Sequence, residues 1–206
     1  MFVKVCGLGT TADIDAAVAA GADAVGLVIS GTSVRGLDRD KAALLAAHVP
    51  AGVLSVLVVN DTPAVDAARL AAGLGFGALQ LHGTAYGAPE FAAAAEVFPR
   101  LWRATSLSDR PDTRVGALGE EVLLLDSPRA GSGEPWDLSQ LASARPEGPW
   151  LLAGGLAPHN VAEAIEQARP WGVDVSSGVE SAPGVKDHAL IRTFVTAAKR
   201  TVPRTA

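Results

Sequence analysis

Short apolar runs alternate with alanine-rich segments along the whole chain, and most of the runs are apolar at consecutive positions rather than at every second one. A strand that is apolar on both sides must be covered on both faces, which calls for parallel pairing with a helix crossing over between neighbours. The runs are FVKVC (2–6), DAVGLVI (23–29), GVLSVLVV (52–59), FGALQLH (76–82), RLWRAT (100–105), EVLLLD (121–126), PWLLAGG (149–155) and GVDVSSG (172–178). Between them the pattern predicts helices. The first is TADIDAAVAAG, with Thr11 as N-cap and Gly21 as its stop. Others are expected at 38–48, after Asp61-Thr62-Pro63, at 88–97, near 109–118, at 138–143, after Pro158 and Asn160, and at 186–199. Eight strand–helix pairs in 206 residues point to an α/β fold closed into a (β/α)8 TIM barrel. One domain then spans residues 1–206. An open, doubly wound sheet is the alternative.

Composition removes several classes of function. With 49% hydrophobic and 19% charged residues the chain buries a large core, and no linker or low-complexity tract interrupts it. Its net charge is −5 and no run of Lys or Arg occurs, which argues against a nucleic-acid or anionic-membrane surface. An anionic ligand therefore needs a local pocket. The longest apolar stretch, residues 51–59, is far too short to cross a bilayer. Cys6 is the only cysteine, so no internal disulfide forms and a reducing compartment fits. No secretory signal pattern opens the chain, and the expected location is cytoplasmic. No His and acidic residues have metal-ligand spacing, and Rossmann and P-loop signatures are lacking. The expectation is no metal and no cofactor.

In a barrel, chemistry gathers where strands end at their carboxyl side. Cys6 ends the first strand, His82 the fourth and Asp126 the sixth; Arg35 follows the second strand, and Asp174 lies in the eighth. LAGGLAPHN places Gly154 and Gly155 just before a helix start, and VDVSSGVE places Ser177 and Gly178 after the eighth strand. Glycines let backbone N–H groups approach an oxyanion, and hydroxyls donate further bonds, so the two loops read as a phosphate cradle. A thiol whose pKa falls toward neutrality serves as a base, and a carboxyl in apolar surroundings is raised and serves as an acid. Such a pair moves protons between neighbouring substrate atoms without a cofactor. The plainer reading makes Cys6 a small buried hydrophobe and Asp126 a helix cap. Arg35 is either a bidentate carboxylate clamp or an ordinary loop arginine. His82 either touches substrate or closes its strand, and Asp174 is either a ligand contact or an internal ion-pair partner.

KVCG, GADAVGLV, LQLHG, LLLDSPRAGSG, AGGLAPHNV and VDVSSGVESAPGVKDHALI occur in that order over nearly the whole chain. Together they resemble the phosphoribosylanthranilate isomerase family of tryptophan biosynthesis. The resemblance implies a TIM barrel that carries out an Amadori rearrangement of N-(5-phosphoribosyl)anthranilate by acid–base catalysis. Cys6 is then the general base at ribose carbon-2 and Asp126 the general acid at the ring oxygen. Arg35 holds the anthranilate carboxylate, Gly154, Gly155, Ser177 and Gly178 hold the phosphate, and His82 and Asp174 line the site. The partner is one small phosphoribosyl substrate, with no nucleic acid and no membrane, and the chain acts as a monomer or homodimer. Three departures from the family pattern stand out. Gly9 replaces a threonine and is expected to loosen the loop after Cys6, the arginine loop reads TSVRG, and the loop after Asp126 is short. Two other readings compete: a different phosphosugar barrel, such as an epimerase or condensing synthase, and a catalytically silent barrel that binds a phosphorylated metabolite.

Overall fold

The computed structural model describes residues 1–109, 111–127, 138, 141 and 145–201. Eight parallel strands follow one another around a closed barrel. They are β1 (Phe2–Cys6), β2 (Ala24–Val28), β3 (Leu54–Val59), β4 (Ala78–His82), β5 (Leu101–Ser106), β6 (Val122–Asp126), β7 (Trp150–Leu152) and β8 (Gly172–Val175). β8 pairs back onto β1, from Phe2↔Gly172 to Val5↔Val175, and this closure excludes the open sheet. Among the described residues the α-helices are α1 (Thr11–Ala20), α2 (Arg39–His48), α3 (Ala64–Gly73), α4 (Ala88–Ala95), α5 (Val161–Ala168) and α6 (His188–Arg200). A small antiparallel hairpin, β9 (Glu180–Ala182) and β10 (Val185–Lys186), lies between β8 and α6. No helix among the described residues is long and apolar enough to cross a membrane.

The consecutive apolar positions of the strands serve two cores, because successive side chains point to opposite faces. Val3 and Val5 on β1 turn outward and join Ile14 of α1 and Phe194 of α6 in the layer between sheet and helices. Cys6, with Val56, Trp102, Leu124 and Leu151, turns inward and fills the barrel. Burying each large apolar side chain contributes about 1.5–3 kcal/mol. Two buried layers therefore need no polar face on the strands.

Several element boundaries differ from the sequence expectation, each for a local reason. Thr10, not Thr11, caps α1: its Oγ1 accepts from the Asp13 N–H at 3.1 Å, and Asp13 Oδ2 accepts the Thr10 N–H at 3.0 Å. That reciprocal pair requires an acid three residues after the cap, which only Thr10 has. Gly21 ends α1 at φ 94°, as expected. No α-helix forms over the described residues between β5 and β6, where a 3-10 turn at Leu107–Asp109 is followed by irregular chain. Gly116 and Gly119 adopt φ of 85° and 89° there, which an α-helix cannot contain. Lys186 belongs to β10, so α6 starts at His188 behind the cap of Asp187, whose Oδ1 accepts the Ala189 and Leu190 N–H groups. The helix expected at 138–143 lies outside the described residues, apart from Leu138 and Leu141.

Candidate active site

The alternation that fills the barrel also decides which polar groups reach its mouth. On β1, Lys4 and Cys6 share the inward face, and Lys4 is completely buried. In register across the seam lies Asp174 of β8, whose Oδ1 accepts from Lys4 Nζ at 2.9 Å. A buried charge persists only with such a partner. Cys6 sits one step nearer the mouth, over Gly26 of β2, where an added Cβ would lie 2.6 Å from the sulfur. A side chain at Gly26 would displace the thiol.

A cavity of about 250 Å³ opens at the carboxyl ends of the strands. Cys6, Arg35, His82, Asp126 and Asp174 all line it, together with Asn60, Gln80 and Ser176. A narrower recess is lined by Ala153, Gly154, Gly155, Leu156, Ser176 and Ser177, and it shares Asp126, Asp174 and Ser176 with the larger one. The two spaces therefore adjoin, a titratable chamber beside a glycine–serine recess. Gln80 Oε1 is buried in the chamber wall with no hydrogen-bond partner among the described residues.

The electrostatics separate the two expected proton carriers. Burial pushes the Asp126 carboxyl above its ordinary value, against the pull of the Ser127 N–H at 2.7 Å and of Lys4. It favours the protonated form, as an acid requires. Burial also pushes the Cys6 thiol up, although Lys4 and Lys186 pull it down. The expected fall toward neutrality is thus absent: desolvation, joined by the Asp174 carboxylate, outweighs the two ammonium groups. Burial opposes the charge on Lys4, but Asp174 and Cys6 hold its pKa above the usual value. His82 is pushed down by burial and by Lys4, so it is neutral, and its Nε2 stands 3.7 Å from Asp126 Oδ2.

The glycine loops are shaped by close approach. Gly154 has φ 82°, and an added Cβ would lie 2.3 Å from the Ser127 nitrogen and 2.7 Å from Asp126 Oδ1. Gly155 has φ 65°. Asn160 braces this turn: its Oδ1 accepts the Ala157 N–H at 2.8 Å and its Nδ2 donates to the Gly155 carbonyl at 2.9 Å. The helix begins at Val161 behind its N-cap Asn160, as expected. Gly178 is not among the residues lining the recess; a Cβ there would lie 1.9 Å from the Leu156 carbonyl oxygen, so it presses the β8 loop onto the β7 loop.

Arg35 reaches the chamber but is not free. Its Nε and Nη2 donate to Glu180 Oε1 and Oε2 at 2.6 and 2.8 Å. The loop after Cys6 is not loosened by Gly9, because the Gly9 N–H donates to Asp13 Oδ2 at 3.1 Å and Asp13 Oδ1 is held by His188 Nε2 at 2.8 Å. Most of the loop after Asp126 lies outside the described residues. Sequence reasoning passed over Lys4, Gly26, Glu180 and Lys186. A lysine inside an apolar strand, two residues before the candidate base, was the one available signal.

Comparison with known proteins follows the same lines. Residues 3–197 match the family model of N-(5'-phosphoribosyl)anthranilate (PRA) isomerase. The N-(5'-phosphoribosyl)anthranilate isomerase of Paracoccus denitrificans is 44% identical over 217 residues, covering 98% of this chain and 97% of the relative. The crystal structure of TrpF from Jonesia denitrificans is 57% identical, with a TM-score of 0.90 and 97% of each chain covered. A phosphoribosyl anthranilate isomerase crystallised with reduced 1-(o-carboxyphenylamino)-1-deoxyribulose 5-phosphate is 32% identical at a TM-score of 0.82, covering 97% of this chain and 98% of its own. With a matched family model and full-length relatives of this similarity, the chain belongs to the phosphoribosylanthranilate isomerase family.

Proposed function

We propose that this chain converts N-(5-phosphoribosyl)anthranilate to 1-(2-carboxyphenylamino)-1-deoxyribulose 5-phosphate in tryptophan biosynthesis, with Asp126 as general acid and Cys6 as general base. The observation that carries the proposal is the convergence of a thiol and of a carboxyl whose pKa burial raises on one chamber, beside a glycine–serine recess. Asp126 gives its proton to the furanose oxygen. The ring C–O bond breaks, and the nitrogen lone pair forms a carbon-1 iminium. The iminium acidifies the carbon-2 proton, which the Cys6 thiolate removes to leave an enaminol. A proton returned to carbon-1 and one lost from the carbon-2 hydroxyl yield the aminoketose and restore both side chains. An acid and a base thus suffice.

The raised thiol is compatible with this order of events. Cys6 gives its proton to solvent before ring opening and acts as the thiolate; the cation that ring opening creates beside it favours that form. Lys4, held under the sulfur by Asp174, adds a permanent positive charge from inside the barrel. Gly154, Gly155, Ser177 and Gly178, joined by Ser176, hold the phosphate, and the bare Cα of Gly178 lets their two loops pack together. Arg35 receives the anthranilate carboxylate, and His82 and Asp174 line the sugar. We propose further that the enzyme acts in the cytoplasm, as a monomer or homodimer, on one small phosphoribosyl substrate. Substrate turnover, followed by loss of its fluorescence with purified protein and no added metal or cofactor, tests the reading. Cys6→Ser and Asp126→Asn are each expected to lose at least ~100-fold in kcat/KM. Full activity in either variant removes that residue from the mechanism. An inactive wild type that still binds sugar phosphate favours the silent barrel.

A further inference from the structure

Arg35 is built into a charged relay that the reaction itself does not require. Behind it, outside the lining of the chamber, Glu180 takes both of its carboxylate oxygens to the guanidinium. Glu180 Oε1 also accepts from Lys186 Nζ at 2.7 Å, and Oε2 accepts the Gly184 N–H at 3.2 Å. Lys186 goes on to donate to the Ser176 carbonyl at 2.9 Å and to its Oγ at 3.3 Å, and Ser176 Oγ donates to the Cys6 carbonyl at 3.1 Å. The Glu180 and Lys186 side chains are 5% and 0% exposed. The hairpin of β9 and β10 makes the relay possible, because its register sets Lys186 opposite Glu180.

The geometry at the guanidinium is selective. An arginine has five N–H groups and two edges that can grip a carboxylate in parallel. Glu180 occupies the Nε–Nη2 edge. The Nη1–Nη2 edge makes no hydrogen bond among the described residues, and Arg35 lines the chamber. A free arginine samples many rotamers, and holding it in place before ligand arrives removes that ordering cost from binding. Glu180 brings a negative charge near an anionic ligand, but Arg35 and Lys186 together leave the cluster with a net positive charge.

We infer that Glu180 is a positioning residue that sets the specificity for the ring carboxylate: it fixes Arg35 so that only the Nη1–Nη2 edge remains for substrate, and ties that clamp through Lys186 to the phosphate-binding serine loop. The inference rests on the reading of Arg35 as the carboxylate clamp. Two ligands test both, reduced 1-(o-carboxyphenylamino)-1-deoxyribulose 5-phosphate and the same compound without the carboxyl group, with Kd measured by calorimetry. Wild type binds the carboxylated ligand more tightly, and Arg35→Ala abolishes that preference. Glu180→Gln cuts the preference about tenfold, leaves binding of the carboxyl-free ligand within about twofold, and raises KM more than it lowers kcat. A general folding defect would weaken both ligands alike. If Glu180→Gln fails to fold, Glu180→Asp, one methylene shorter, carries the same comparison. Full preference in the Glu180 variant, or tighter binding of the carboxylated ligand, overturns the inference and leaves Arg35 in place. Full preference in Arg35→Ala overturns the clamp reading itself.

Discussion

Gly178→Ala tests whether the phosphate recess depends on two loops pressed into backbone contact. An added Cβ would stand 1.9 Å from the Leu156 carbonyl oxygen, 2.9 Å from its carbon and 3.0 Å from Ala157 Cα. All three are backbone atoms, so no side-chain rotation relieves the clash. Real Cβ contacts under 3.0 Å essentially never occur, so the β7 and β8 loops must part by at least about 1 Å. Forcing extra volume into packed structure costs about 1–3 kcal/mol, and each kcal/mol lowers Tm by about 2–4 °C in a chain of this size. A 1 Å displacement of groups that position substrate costs up to about 100-fold. The expected result is therefore a kcat/KM lower by about 10–100-fold, carried mostly by KM, with a parallel loss of competitive inhibition by inorganic phosphate. Gly73→Ala is the control. It stands at the exposed end of α3 with nothing within 4 Å of the new Cβ, and it is expected to leave activity unchanged and to stabilise by up to about 1 kcal/mol. Wild-type phosphate inhibition and Tm in Gly178→Ala would refute the reasoning.

Two further predictions concern charges that the reaction does not titrate. Lys4→Met strands the Asp174 carboxyl inside the barrel and should cost about 3–5 kcal/mol in urea unfolding, whereas Lys4→Met with Asp174→Leu recovers much of that loss; a cost under 1 kcal/mol for the single change would show that the pair is not the support we describe. Asp13 accepts from Gly9, Thr10 and His188, and although burial opposes it these bonds hold its carboxyl below the usual range. A depressed carboxyl contributes stability that is complete above its unfolded pKa and is lost as pH falls through its lower folded pKa. Below about pH 4 the wild-type Tm should fall more steeply than that of Asp13→Asn, and parallel curves would sink the assignment.

The barrel was readable because each strand carries consecutive apolar residues, and the place of Cys6 and Asp126 at its mouth because a strand end is a defined position in this fold. Cys6 and Asp126 needed no knowledge of neighbours in space. Lys4 was not readable as a partner, because its counter-charge lies at Asp174, 170 residues away, and only barrel closure brings the two into register. Glu180 and Lys186 look like solvated charges in VESAPGVKD, and the hairpin that buries them is only five residues long in paired strands. Gly178 is read from residue type as a phosphate ligand, and its further need for a bare Cα was not legible because it comes from Leu156 on another loop. The Thr11 cap and the helix near 109–118 failed on local detail, an acid at the wrong offset and glycines in left-handed conformations.

The division of labour between Cys6 and Asp126 is tested most directly by substrate deuterated at ribose carbon-2. If Cys6 removes that hydrogen, Cys6→Ser makes its removal rate-limiting and the isotope effect on kcat/KM rises above the wild-type value. Asp126→Asn instead slows ring opening, which precedes C–H cleavage, and the effect collapses toward unity. The reverse pattern, with the isotope effect exposed in Asp126→Asn and suppressed in Cys6→Ser, would contradict the account.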